Sequence, residues 1–142
     1  MSGTSADLAE AASRIRKNIL ETCLRAGTGH LTSSLSCVDI LVALYHGGLL
    51  RFDAQRPAWE GRDRFIMSKG QASPALYAVL ADLGFFDPRH LESFAREGGR
   101  MGVHLQMDVP GAEITSGSLG HGLGIAAGLA LGATKLQTLV RI

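Results

Sequence analysis

Cysteine is nearly absent: Cys23 and Cys37 are the only two in 142 residues. Each lies in an apolar, helix-like stretch and neither has a metal-ligand spacing. A disulfide scaffold and a cysteine-built metal module are therefore excluded, and both thiols are expected to be reduced core residues. A basic surplus is also missing, since 14 Lys and Arg stand against 13 Asp and Glu. That excludes a dedicated nucleic-acid binder, which needs cations to displace phosphate counterions. The longest apolar run, Leu119 to Ala133, is interrupted by His121 and falls short of the ~20 residues that cross a bilayer. Met1 to Asp7 are small and polar, without the basic-then-apolar pattern of a secretory signal. A cytoplasmic protein without membrane partners is expected. Repeats and low-complexity linkers are absent, and 46% hydrophobic residues exclude a disordered tail. No Ser/His/Asp order, carboxylate pair or Cys/His cluster stands out.

Glycine is plentiful. There are 18, and ten of them fall between Gly98 and Gly132. The periodicity predicts a first helix over about Ser5 to Ala26, with Leu8, Ala12, Ile15, Ile19 and Cys23 on one face and Gly27 as its stop. Thr28 to Ser34 reads as a loop. Ser36 is placed to cap a second helix, with Asp39 in a capping-box position, that carries Val38, Leu41, Val42 and Tyr45 and ends at Gly47-Gly48. After a polar connection over 51–64, Phe65-Ile-Met67 reads as a short buried strand. A helix follows from about Ser73 to Leu83, with Pro74 tolerated in its first turn. Pro88 opens a short helix with Leu91 and Phe94 inward, and 98–118 is loop. A long helix runs from about Ser118 to Lys135, and Thr138 to Ile142 reads as a strand just beginning. This order predicts an α/β fold with a parallel sheet flanked by helices, whose ligand site lies beyond the carboxyl ends of the strands. Ser68-Lys-Gly-Gln71 falls at such an end.

Two features bear on chemistry. Thr115-Ser-Gly-Ser-Leu-Gly-His-Gly122 is a glycine-rich loop opening a helix, where backbone N–H groups and the helix dipole favour an anion. It matches neither the dinucleotide fingerprint nor a P-loop, and a tight turn with close packing explains it equally. Packing has support of its own, because Gly120, Gly124, Gly128 and Gly132 lie at four-residue steps. Mid-helix glycines cost roughly 1 kcal/mol each relative to alanine, so a close neighbour is expected to offset them. The second feature is histidine. His30, His104 and His121 lie in glycine loops, while His46 and His90 at helix ends read as solvated. His30 and His104 are open to two readings, loop residues bonded to backbone or proton-handling groups of a site.

Taken in order, Gly29-His30, Asp39-Ile-Leu-Val-Ala-Leu-Tyr45, Asp63-Arg-Phe-Ile-Met-Ser-Lys-Gly70, Pro74-Ala-Leu-Tyr77, Pro110-Gly-Ala-Glu113 and Thr115 to Gly122 resemble the blocks of a transketolase N-terminal part, especially the type split into two subunits. The resemblance runs from about Leu8 to the C-terminus. It implies a single partial domain over residues 1–142, the diphosphate-binding half of a thiamine diphosphate fold. The implied reaction transfers a two-carbon ketol unit from a ketose phosphate to an aldose phosphate. The implied partner is a complementing C-terminal subunit or domain, in a dimeric or heterotetrameric assembly. By position, His30 and His104 resemble the histidines that contact the transferred unit, while Gly117, Ser118 and Leu119 resemble the cofactor-touching segment. Gln71 stands where the family has a histidine on the diphosphate, and His104 is followed by Leu105 rather than proline. Glutamine donates a hydrogen bond but carries no charge and moves no proton. The family's Gly-Asp-Gly motif for Mg²⁺ or Ca²⁺ would follow the strand in which the sequence ends, so the metal ligands are expected outside these residues. Related thiamine diphosphate enzymes, such as a deoxyxylulose phosphate synthase-like one, and a non-catalytic interaction module are the alternatives.

Overall fold

The computed structural model describes residues 4–137 and 140–142. Helix α1 spans Ser5–Ala26 and is closed at both ends by local chemistry. Asp7 N–H donates to Thr4 Oγ1, and Thr4 N–H donates to the Asp7 carboxylate, which makes a capping box. Gly27 ends the helix in the left-handed region at φ 67°. The buried face, Ala11, Ala12, Ile15, Ile19 and Cys23, packs on α3 (Val38–Tyr45) and α4 (Ser73–Asp82).

Helix α4 is the centre of the core. Every residue from Ser73 to Ala81 is buried, and Pro74 sits in the first turn, where its missing N–H leaves no helix bond unmade. A 3₁₀ turn over Pro88–Ser93 then brings in Leu91 and Phe94, and Leu105 and Val109 complete the interior. Asp63 is buried under this edge, where its carboxylate receives Arg51 N–H and the Arg141 guanidinium. Burial pushes that carboxyl up, but these hydrogen bonds win and hold it down at about 2.

Several elements differ from the expectation. No strand forms among the described residues, so the parallel sheet is not seen there. Phe65–Met67 runs extended, and one flanking bond, Arg64 N–H to the Arg141 carbonyl at 2.7 Å, joins it to the C-terminal segment. A ladder needs successive bonds; this run is instead held by side chains, with Met67 buried and Phe65 edge-on to Tyr45. Of the strand expected at 138–142, Thr138 and Leu139 lie outside the described residues, and Val140 to Ile142 are not strand. The one pairing among the described residues is an isolated antiparallel bridge between Leu105 and Ser116.

Part of the expected 28–34 loop is a one-turn helix, α2, at Leu31–Leu35. Its sequence is polar, and tertiary bonds from Lys69 hold it. Ser36 does not cap α3, whose N-cap is Cys37 without a side-chain capping bond. The Ser36 hydroxyl donates to the Ser33 carbonyl, and Asp39 pairs with Arg16. Both cysteines are free, Cys23 buried and Cys37 partly so. His46 is not solvated: its Nε2 lies 2.8 Å from Asp82, which also takes both arms of Arg14.

The last helix, α5 (His121–Lys135), begins three residues later than expected and lies outside the core. Leu123 and Leu131 are 77% and 67% exposed. Within this chain the four-residue glycine face has no close neighbour: a Cβ at Gly120, Gly124, Gly128 or Gly132 would meet open space among the described residues. The packed glycine is Gly122, where a Cβ would stand 2.6 Å from that of Ser68.

Candidate functional site

Three segments distant in sequence meet at one side of the core. The first, Ser68 to Gln71, leaves the extended 65–67 run. Gly70 admits no side chain, since a Cβ there would lie 1.9 Å from the Ser116 carbonyl oxygen. Its own carbonyl accepts from Leu105 N–H at 3.1 Å, and the Leu105 carbonyl accepts from Ser116 N–H at 3.0 Å. Residues 70, 105 and 116 therefore lie side by side. The start of α5 is tied to the same segment, because Gly122 N–H donates to Ser68 Oγ at 3.0 Å.

Each histidine of this region is placed by a buried neighbour. Ser73 Oγ donates to the Val103 carbonyl at 2.8 Å. Tyr77 O–H donates to the His104 carbonyl at 3.3 Å and accepts from Gln106 N–H at 2.9 Å. Two successive turns of α4 thus grip the backbone on both sides of His104. Burial pushes the Tyr77 hydroxyl up to about 12, so it stays a neutral donor at physiological pH. His30 opens α2, and its carbonyl accepts from both Ser34 N–H and Ser34 Oγ at 2.9 Å. The Lys69 ammonium donates to the Ser33 carbonyl at 2.8 Å and to Ser36 Oγ at 2.9 Å, which fixes that turn.

The result is a small polar cluster. The His30 and His104 rings stand 5.2 Å apart at 58°. Gly117 backs onto His104, where a Cβ would sit 3.5 Å from the ring. Gln71 Nε2 donates to the Gly117 carbonyl at 2.8 Å. Among the described residues three buried side-chain polar atoms lack a partner, and two of them, His30 Nδ1 and Gln71 Oε1, lie here; the third is His46 Nδ1. Unpaired buried polar atoms are costly and call for a ligand or water. Two imidazoles beside bare backbone and a helix N-terminus can hold hydroxyl groups, move protons near neutral pH and favour an anion.

The family model described as transketolase, thiamine diphosphate binding domain matches residues 8–140. The chain belongs to the transketolase family, as its thiamine diphosphate binding domain. It is 42% identical over 132 residues to the 6-deoxy-6-sulfo-D-fructose transketolase subunit SqwG of Clostridium sp., covering 92% of this chain and 48% of that protein. One of the apulose-4-phosphate transketolase subunits of Phocaeicola vulgatus is 37% identical over 118 residues, covering 83% and 42%. The transketolase of Campylobacter jejuni superposes with a TM-score of 0.87 at 31% identity, over 95% of this chain and 21% of that one. The chain thus spans about half the length of these subunit relatives and about a fifth of a transketolase of that size.

Within the transketolase domain, four of the sequence-predicted residues come together: His30, His104, Gln71 and Gly117. Ser118 and Leu119 are exposed at the rim, with Ser118 Oγ 3.5 Å from His121 Nε2. Ser68 and Lys69 were marked only as part of the segment at a strand end, and Ser73 and Tyr77 were not singled out from the sequence, although all four lie in or beside blocks that carried the resemblance. No three His, Cys, Asp or Glu side chains gather to hold a metal ion among the described residues. No helix among them is long and apolar enough to cross a membrane. The cluster fits thiamine diphosphate: the orphaned polar atoms await partners, Gly117 leaves backbone accessible, and the α5 N-terminus follows directly.

Proposed function

We propose that this chain is the diphosphate-side subunit or domain of a transketolase that moves a two-carbon ketol unit from a ketose phosphate to an aldose phosphate. The observation that carries this reading is the His30–His104 pair set beside Gly117 and Gln71. Thiamine diphosphate, when bound, supplies the electron sink for the two-carbon carbanion. His30 and His104 hold the hydroxyls of the transferred unit and pass protons to and from its oxygens. Gln71, Gly117, Ser118 and Leu119 line the cofactor. Ligands outside the described residues would hold Mg²⁺ or Ca²⁺, which would supply positive charge to offset the diphosphate. Residues 65–67 take a place in the parallel sheet, for which the Arg64–Arg141 bond is the first rung. The partner is a complementing C-terminal subunit or domain, and the setting is the cytoplasm, where Cys23 and Cys37 stay reduced.

The relatives' names point to a sulfonated fructose and to apulose 4-phosphate, so a modified ketose is within the same proposal. Gln71 supports a second reading, a related thiamine diphosphate enzyme such as a deoxyxylulose phosphate synthase-like one. The test is ketol transfer by this chain completed with a C-terminal subunit, thiamine diphosphate and Mg²⁺, run with ketose phosphates and with pyruvate. His30→Ala and His104→Ala should each lower turnover about 100-fold or more. Turnover that survives both substitutions would overturn the assignment; turnover with pyruvate alone would select the second reading.

A further inference from the structure

Gln71 stands where the family resemblance places a diphosphate-contacting histidine, and its amide is engaged within the chain. One of its two amide hydrogens is committed, since Nε2 gives a hydrogen bond to the Gly117 carbonyl at 2.8 Å. Reversing the amide would set Oε1 against that carbonyl, acceptor against acceptor, so the orientation is fixed by its partner. Its Oε1 is buried and without a partner among the described residues. An acceptor does not bind a phosphate oxygen; it binds an amino or hydroxyl hydrogen. The backbone beneath is rigid, because Gly70 lies against the Ser116 carbonyl with no room for a Cβ. Gly117 is bracketed by two further bonds, Ser116 N–H to Leu105 and Gly122 N–H to Ser68 Oγ.

We propose that Gln71 is a positioning and specificity residue: its amide N–H latches the Gly117 carbonyl, and its Oε1 reads a hydrogen-bond donor of the bound cofactor or sugar. The ligand half rests on the reading that residues 117–119 face thiamine diphosphate. The latch half stands on the free protein alone.

The two halves are tested on the full chain and on its Gln71→Met and Gln71→His variants. Hydrogen exchange in the free protein reads the latch. Gln71→Met, which has neither donor nor acceptor, should speed exchange at the Ser116 and Gly122 amides by about fivefold or more. Unchanged exchange overturns the latch. Calorimetry in Mg²⁺ on the chain assembled with its complementing subunit reads the ligand. If the donor belongs to the cofactor, Gln71→Met weakens thiamine and thiamine diphosphate by the same factor, about 2- to 10-fold. If the donor belongs to the sugar, both cofactor affinities hold and fructose 6-phosphate binding to the loaded assembly weakens by that factor. Gln71→His should favour thiamine diphosphate over thiamine more than the parent does. Loss confined to the diphosphate compound in Gln71→Met overturns the ligand half, as does no change for any of the three ligands. A parent assembly that binds neither thiamine nor thiamine diphosphate overturns the cofactor reading beneath it, while the exchange result still decides the latch.

Discussion

Tyr77→Phe isolates the support under His104. The ring is fully buried and phenylalanine keeps it, so the change is confined to one oxygen. That oxygen joins two backbone groups, the His104 carbonyl at 3.3 Å and Gln106 N–H at 2.9 Å. Its removal leaves Gln106 N–H without a partner in a half-buried place, and a buried unsatisfied group costs about 1–3 kcal/mol. The longer His104 bond adds little. The expected loss is about 2 kcal/mol, or a Tm lower by about 8 °C at roughly 4 °C per kcal/mol for this chain length. Urea denaturation and a thermal melt by circular dichroism would measure it. Tyr45→Phe is the control, because the Tyr45 hydroxyl has no hydrogen-bond partner among the described residues, and it should stay within about 0.5 kcal/mol. A pH arm adds a second reading. Tyr77 is held up at about 12 by burial, against an ordinary value of 10.0, so the folded state keeps its proton while the unfolded chain loses it. Stability is fully present below pH 10 and is lost as pH rises through 12, by roughly 1.4 kcal/mol per pH unit from this group. Tyr77→Phe should remove that share of the slope. A Tyr77→Phe protein as stable as Tyr45→Phe, with an unchanged alkaline slope, would refute the reasoning.

Gly122→Ala should destabilise the folded chain by about 1–3 kcal/mol, because its methyl would press into Ser68, whereas Gly128→Ala should stabilise α5 by up to about 1 kcal/mol in open space. Melting both variants beside the parent checks the contrast. Asp63 is held down at about 2 against 3.8, so its contribution is present above pH 4 and is lost as pH falls through 2, about 2 kcal/mol in all. Acid denaturation of Asp63→Asn should accordingly lack that part of the slope. Gly70→Ala should be the most damaging of the glycine changes, since the methyl would fall on a backbone carbonyl that cannot swing aside, and it is expected to cost more than about 3 kcal/mol in urea denaturation.

The helices whose burial follows their own sequence were legible in it. Ser5–Ala26 carries its apolar stripe and its stop, and Pro74 with the apolar run after it marked α4. Leu31–Leu35 was not legible, because Leu-Thr-Ser-Ser-Leu has no helical stripe and is held by Lys69 from a remote segment. The 65–67 run shows why a short apolar stretch does not by itself reveal a strand: sheet structure belongs to a pair, and only one bond to Arg141 is seen among the described residues. The regular glycine pattern finds no neighbour within the chain itself. Its four-residue steps face open space, and the close approach falls at Gly122, off the pattern, because Ser68 lies there. The candidate site divides in the same way. His30, His104 and Gly117 were found by motif, but their proximity is a product of tertiary contacts through Tyr77, Ser73 and Lys69, which no spacing along the chain reveals.

The five histidines offer the most direct test that His30 and His104 line the cofactor site. Thiamine diphosphate with Mg²⁺ is titrated into the chain assembled with its complementing subunit, and the imidazole proton resonances are followed by NMR, each assigned by single substitution. The signals of His30 and His104 should move together and saturate with the cofactor, while His46, tied to Asp82, and His90, stacked on Phe86, stay in place. Saturable cofactor binding that leaves the His30 and His104 resonances unshifted would contradict the account.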